Sequence, residues 1–200
     1  RAAEKRVWAK LEKSPEEVIE EAFDEALAQD PAQEKPWVAL VDGNRTQLKA
    51  LRRLARKKQV DLTIIVDFVH VSEYLWKAGR VFHPESGPEL EGWVSHRLLE
   101  ILRGKAGYVA GGMRRSATLR GLSEKVRTPV DDCARYLLNH TPYLRYDQYL
   151  ARGFPIATGV IEGACRHLVK DRMEVTGARW SLKGAEAVLR LRALRSSHDF

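Results

Sequence analysis

Two short apolar segments, each ending at an aspartate, constrain the fold of this chain more than any other feature. The first is Trp37–Val41, which ends at Asp42, and the second is Asp61–Val66, which ends at Asp67. Both are shorter than an ordinary helix and rich in β-branched or aromatic residues, so they predict buried strands. Residues 46–58 between them carry leucines at helical spacing. The three segments together predict a βαβ unit whose strands pair in parallel.

The rest of the sequence has a helical pattern. Ser14 is placed to cap a helix that stops at Asp30-Pro31. After Asp67 we find no further convincing strand, and residues 82–88 read as a loop. Helical patterns cover residues 69–78, 89–103, 112–124, 129–139, 143–152, 158–173 and 183–196. The predicted class is therefore α/β, with two parallel strands followed by a mostly helical block.

The distribution of charge indicates a polyanionic partner. The net charge is +7, but residues 1–100 carry −2 and residues 101–200 carry +9, with 14 arginines in the second half. Arginine favours bidentate contacts with phosphate, although a solvated basic surface explains the same charge equally well. No apolar run approaches the roughly 18 residues of a membrane span. Two cysteines make no disulfide framework and fit a reducing compartment.

The two strand-ending acids are candidate functional residues. The carboxyl ends of parallel strands meet at one edge of a sheet, where open α/β folds bind ligands. Asp42 could also belong to a turn that caps the following helix. Asp67 and His70 form an Asp-x-x-His spacing at the start of a helix, which is equally typical of an N-cap beside an ordinary histidine.

A third acid, Glu162, lies in the helical pattern at about 158–173. On a helical wheel it falls at the border of the apolar face, a half-sheltered position that suits a metal ligand. It could instead be a solvated side chain paired with Arg166 at the i+4 spacing. Cys165 and His167 point apart on such a helix, so we exclude zinc.

Basic and aromatic residues near the C-terminus are candidate DNA contacts. Arg166 and Lys170 share a polar stripe beside Glu162, and Arg172 follows them. Arg179 precedes Trp180, whose ring could stack on a base or simply pack in a core. The basic run Arg52–Lys58 reads as the solvent face of its helix, with DNA contact as the alternative.

An ordered set of short motifs resembles bacterial insertion-sequence transposases of the ISKra type. These belong to the DDE transposases, which have an RNase H-like catalytic domain. The resemblance runs over essentially the whole chain. The segments that carry it are Val41–Asn44, Val66–Val71, Glu73–Trp76, Gly159–Arg166 and Thr176–Trp180.

The resemblance implies a metal-dependent catalytic site. Enzymes of this class use two aspartates and one glutamate to hold two divalent ions, usually Mg²⁺. Mapped here, Asp42 is the second catalytic aspartate and Glu162 the third carboxylate, and both are metal ligands. Asp67 and His70 match an accompanying x-x-His motif. An alternative mapping gives the second catalytic position to Asp67.

The resemblance also implies the domain organisation and the partners. Residues 1–70 would be a partial RNase H-like core, residues 71–155 a helical insertion, and residues 156–200 the region of the catalytic glutamate and the last helix. The expected partners are transposon ends and target DNA, contacted by Arg166, Lys170, Arg172, Arg179 and Trp180, and further copies of the chain. The expected location is the bacterial cytoplasm, at the nucleoid during transposition.

One departure from the family pattern affects the expected activity. The first catalytic aspartate should lie on a strand, but Asp24 and Asp30 lie on or just after a predicted helix. We therefore expect a C-terminal fragment that lacks the first aspartate and cannot cut DNA alone. The alternative is a non-catalytic DNA-binding remnant of a transposase.

Overall fold

The computed structural model describes residues 6–158, 166–174, 177 and 179–197. The described residues form a mixed α/β structure that is mostly helical and contains two strands, which confirms the predicted class at that level. The elements in chain order are α1 (Pro15–Gln29), β1 (Trp37–Val41), α2 (Arg45–Lys57), β2 (Leu62–Val66), α3 (Phe68–Phe82), α4 (Pro88–Leu102), α5 (Ala106–Leu119), α6 (Glu124–His140), a 3₁₀ turn (Thr141–Tyr143), α7 (Tyr146–Ala151), a π-helical turn (Arg166–Lys170), α8 (Asp171–Met173) and α9 (Leu182–Ser197).

The chain divides into two compact units whose segments alternate along the sequence. The first unit comprises the described residues of Arg1–Lys35, Lys49–Val60 and Thr158–Phe200. The second unit comprises Pro36–Leu48 and Asp61–Ala157. The candidate catalytic residue Glu162 lies outside the described residues.

The sheet of the second unit consists of β1 and β2, paired in parallel. The register aligns Trp37 with Leu62 and Val41 with Val66, so the two strands end side by side. Ile65 and Val66 are completely buried. Each strand occupies the segment that predicted it. The prediction of a buried strand is wrong for β1, whose five residues are all half-buried, and is confirmed only for the last three residues of β2. Each of the two strands pairs with a single neighbour in this sheet, so each keeps one edge without a strand partner there.

Four helices build most of the rest of the second unit. α6 packs against α3 and α5, and α4 packs against the same two helices. α5 begins at Ala106 and α6 at Glu124, several residues before the predicted starts at 112 and 129. Burial of Ala106 and Val109 stabilises the first turn of α5 despite the low helix propensity of Gly107.

In the first unit, the basic run on α2 faces the acidic side of α1. Lys57 Nζ lies 2.8 Å from Glu20 Oε1. Arg53 pairs with Glu16, and Lys58 pairs with Asp24. Three cations of the run therefore already have carboxylate partners, although exposed pairs of this kind contribute little stability each.

The segment before α1 is hydrogen-bonded to α9. The Val7 N–H donates to Ser197 Oγ at 3.0 Å, and the Leu11 N–H donates to Glu186 Oε2 at 2.7 Å. Across the described ranges, which omit parts of the C-terminal region, no helix is both long and apolar enough to cross a bilayer.

We expect the stability of the second unit to fall in alkaline solution. Burial raises the pKa of the Cys133 thiol from 9.0 to about 12, and burial also raises the pKa values of Tyr136 and Tyr146. Above pH 9 the unfolded chain loses these protons first. The Cys133 contribution alone should lower the free energy of unfolding by about 1 kcal/mol between pH 9 and 10.

Urea unfolding at pH 8, 9 and 10 measures this loss. The matched variant is Cys133→Ala, which should unfold with a shallower dependence on pH than the parent chain. An identical dependence in both proteins would show that the thiol is not protected from ionisation in the folded state.

Candidate functional site

Asp42 and Asp67 lie side by side at the carboxyl edge of the sheet. Each follows directly on one of the aligned strand ends, Val41 and Val66. The Asp67 N–H donates to the Val41 carbonyl at 2.8 Å, which extends the ladder by one residue. The strand pairing therefore brings together the two acids that the sequence placed at one edge.

The Asp67 side chain acts as the N-cap of α3. Its Oδ1 accepts the Val69 N–H at 2.8 Å, and the residue is 6% exposed. This is the capping role that the sequence left open as an alternative. His70 is half-buried on the first turn of the same helix, with Nδ1 3.5 Å from Glu73 Oε2.

Asp42, by contrast, is exposed and lies in a tight turn. Its Oδ1 accepts the Asn44 N–H at 2.8 Å. Asn44 Oδ1 in turn accepts the Thr46 N–H at 2.9 Å and so caps α2. The helix cap at this turn is thus Asn44, and Asp42 Oδ2 accepts no hydrogen bond from the described residues.

Two side chains of α6 hold the backbone of this turn. The Tyr136 hydroxyl donates to the Asp42 carbonyl at 2.7 Å. His140 Nε2 lies 2.9 Å from the Gly43 carbonyl oxygen, and its Nδ1 lies 2.8 Å from the Tyr136 carbonyl oxygen. Both of these oxygens can only accept, so the ring nitrogen that carries a proton is the donor in this pair of contacts.

Tyr136 is the centre of a stack of rings beside the turn. Its ring stacks on Tyr74 with centroids 4.1 Å apart and planes 13° apart, and it lies 4.3 Å from the His140 ring. Burial is the main reason that the Tyr136 pKa is raised, with smaller contributions from Tyr74 and from the carboxylates of Asp42 and Asp67. The phenol therefore stays protonated and keeps donating.

These groups line a polar cleft of about 480 Å³ in the second unit. The cleft contains Asp42 but not Asp67. It also contains two cationic side chains, Arg45 and Arg135, and Arg135 pairs with Asp132 on the same helix. The described residues give Arg45 no carboxylate partner. The cleft thus combines the Asp42 carboxylate and the Arg45 guanidinium with the Asp132–Arg135 ion pair.

The cleft includes residues that the sequence did not single out as functional. They are Arg45, Tyr74, Asp132, Arg135, Tyr136, Asn139 and His140, and the last five come from α6. Tyr136 is 94 residues from Asp42 in sequence. One local signal was present, because Tyr136 and His140 stand four residues apart and bring polar atoms to a buried helix face.

The predicted DNA-contacting residues belong to the first unit. Arg166, Lys170 and Arg172 are exposed on the helical segment at 166–173, and Arg179 and Trp180 are exposed before α9. Arg172 and Trp180 line one groove. His167 Nδ1 lies 3.0 Å from Asp171 Oδ2 on the same segment.

Comparison with known proteins adds no relative. The sequence matches no protein-family model, no curated protein and no solved structure at a significant level. Within the described ranges, which exclude Glu162, no three His, Cys, Asp or Glu side chains cluster as a metal-binding group.

The turn after β1 should require glycine at position 43. Gly43 has φ +89°, and an added Cβ would lie 3.0 Å from His140 Nε2 and 3.1 Å from the Tyr136 hydroxyl oxygen. Gly43→Ala should therefore lower the free energy of unfolding by about 1–2 kcal/mol or more. Urea denaturation at neutral pH measures the change.

The matched control for this substitution is Gly111→Ala in α5. A Cβ at position 111 meets nothing within 4 Å, so alanine should stabilise that helix by about 0.5–1 kcal/mol. A Gly43→Ala variant as stable as the parent chain, or more stable, would contradict the geometry of the turn.

The hydrogen bond from Tyr136 should contribute measurable stability. Tyr136→Phe keeps the ring stack but leaves the Asp42 carbonyl without its donor, so we expect a loss of about 1 kcal/mol in chemical denaturation. Tyr108→Phe, at a residue that is 74% exposed, should change nothing. Equal effects of the two substitutions would mean that the bond to Asp42 is replaced by water at no cost.

Proposed function

We propose that this chain is part of a DDE-type transposase of the insertion-sequence kind and that β1 and β2 belong to its RNase H-like domain. The proposed reaction is metal-dependent cleavage of DNA followed by strand transfer. The observation that carries the proposal is the aligned ending of two parallel strands at Asp42 and Asp67. In the class that the sequence resembles, catalytic carboxylates occupy such an edge.

The different surroundings of the two acids favour Asp42 as the second catalytic aspartate. Asp67 is buried and its Oδ1 caps a helix. Asp42 is exposed in the cleft, so a phosphodiester can reach it. Asp67 then has a structural role at the base of the Asp-x-x-His segment that includes His70.

The donor type of Asp42 fits the two Mg²⁺ ions that the proposal includes. Hard divalent ions prefer carboxylate oxygens, and Asp42 Oδ2 has no competing donor among the described residues. Glu162 is the proposed second ligand. When bound, a pair of such ions activates the attacking oxygen and stabilises the leaving oxygen of the phosphodiester.

The other cleft residues position Asp42 and attract the substrate. Tyr136 and His140 hold the carbonyl groups of Asp42 and Gly43, which limits the directions in which the carboxylate can point. Arg45 offers a guanidinium to a phosphate beside the turn. The proposed partners are transposon-end and target DNA, with the protein acting as a homo-oligomer.

A second candidate is a DNA-binding remnant without chemistry. It is favoured by the surroundings of the acids that precede β1. Asp24 lies within α1 and pairs with Lys58, and Asp30 accepts the Glu34 N–H at 3.0 Å just after that helix. Neither acid lies on a strand.

Substitution of the strand-ending acids tests the enzyme hypothesis. In the complete reading frame that contains this sequence, Asp42→Asn should lower Mg²⁺-dependent nicking of transposon-end DNA by at least about 100-fold. The reason is that the variant loses a negatively charged ligand of the metal ions that act on the phosphate. Asp132→Asn, in the same cleft, is the matched control and should retain most of the activity.

Asp67→Asn distinguishes the two mappings. Asparagine caps helices as well as aspartate does, so this variant should fold and remain active. Loss of nicking in Asp67→Asn with activity kept in Asp42→Asn would transfer the catalytic role to Asp67. Full activity in both variants would refute the proposed chemistry.

A further inference from the structure

A groove runs beside α9 in the first unit. We call it the α9 groove and define it by six residues. They are Arg172, Trp180, Val188, Leu191, Arg192 and Arg195. Its volume is about 670 Å³, and Leu191 and Trp180 remain 60% and 41% exposed. An accessible aromatic ring and apolar side chains thus lie among three guanidinium groups.

The charge on the groove is of one sign. No described residue that lines it is acidic. Glu186, the single acid of α9, accepts the Leu11 N–H at 2.7 Å and lies near Lys10. Glu186 does not line the groove, so the charged side chains among the described lining residues are all arginines.

The three arginines differ in what they already bind. Arg192 donates to the carbonyl groups of Leu168, at 3.1 Å, and His167, which fixes its guanidinium at the groove wall. Arg172 and Arg195 have no hydrogen-bond or ion-pair partner among the described residues. Two guanidinium groups beside an exposed indole are consequently available to a ligand.

We propose that the α9 groove binds single-stranded DNA. Arg172 and Arg195, which have no partner in the described part of the chain, match the phosphates of the backbone, and an exposed indole offers a face on which an unpaired base can stack. In duplex DNA the base faces are covered by their neighbours, so a duplex gains the phosphate contacts alone. This inference rests on the proposed function and adds to it the strand state of the DNA and the residues that hold it.

Fluorescence anisotropy with a 5′-labelled 15-nucleotide oligothymidylate tests the assignment on the full 200-residue chain. Arg172→Gln/Arg195→Gln should weaken binding by about tenfold at low salt and reduce the slope of log K against log[salt] by about 1.4. Trp180→Ala should weaken binding by about tenfold, whereas Trp180→Phe should retain most of it.

The matched control is Lys183→Gln/Arg190→Gln, which removes the same charge from exposed positions of α9 outside the groove. It should lower affinity by less than about twofold. An equal loss in the two double variants would reduce the effect to nonspecific attraction and overturn the proposal. Tighter binding of a duplex of equal length, or unchanged binding by Trp180→Ala, would overturn it as well.

The outcome is separable from that of the proposed function. If the complete protein fails to nick DNA while the groove variants still weaken oligonucleotide binding, the groove stands and the transposase chemistry fails. If nicking depends on Asp42 but the groove variants bind like the parent chain, the chemistry stands and the groove assignment is wrong.

Discussion

The second unit depends on hydrogen bonds that helical side chains donate to the carboxyl end of its sheet. A pair of parallel strands leaves carbonyl groups without strand partners where it ends, and burial of an unpaired carbonyl is costly. Tyr146 donates to the Val66 carbonyl at 2.7 Å, and Tyr136 donates to the Asp42 carbonyl at the same distance. His140 faces the Gly43 carbonyl. The helices therefore stabilise the strand ends and shape the candidate site with the same contacts.

Asp42 and Asp67 have different surroundings, although their positions in the sequence look equivalent. Both follow a strand and both begin a connection to a helix. α3 starts directly at Asp67, so that carboxylate is used as a cap and is buried with the helix end. Asn44 provides the corresponding cap for α2, which leaves Asp42 accessible. Gly43 stands between Asp42 and the capping residue Asn44. Its φ is positive, a conformation that glycine adopts without steric strain.

Local sequence patterns predicted most helices and strands well, but they predicted only part of the candidate site. Both strands and α1, α2 and α9 follow from apolar periodicity and capping residues within a few positions. α5 and α6 begin earlier than predicted because tertiary packing outweighs the breaking tendency of Gly107 and Pro129. The position of Asp42 at a sheet edge was predictable from two short segments. Its contacts with Tyr136 and His140 were not, since no periodic signal links residues 94 and more apart.

That separation in sequence also sets the order in which the cleft can be built during synthesis. Asp42 leaves the ribosome 94 residues before Tyr136, an interval of about 5–20 s at ordinary rates of translation. Until α6 follows, water must satisfy the carbonyl groups of the turn. The turn after β1 in the nascent chain therefore reaches its final geometry only when α6 packs against it.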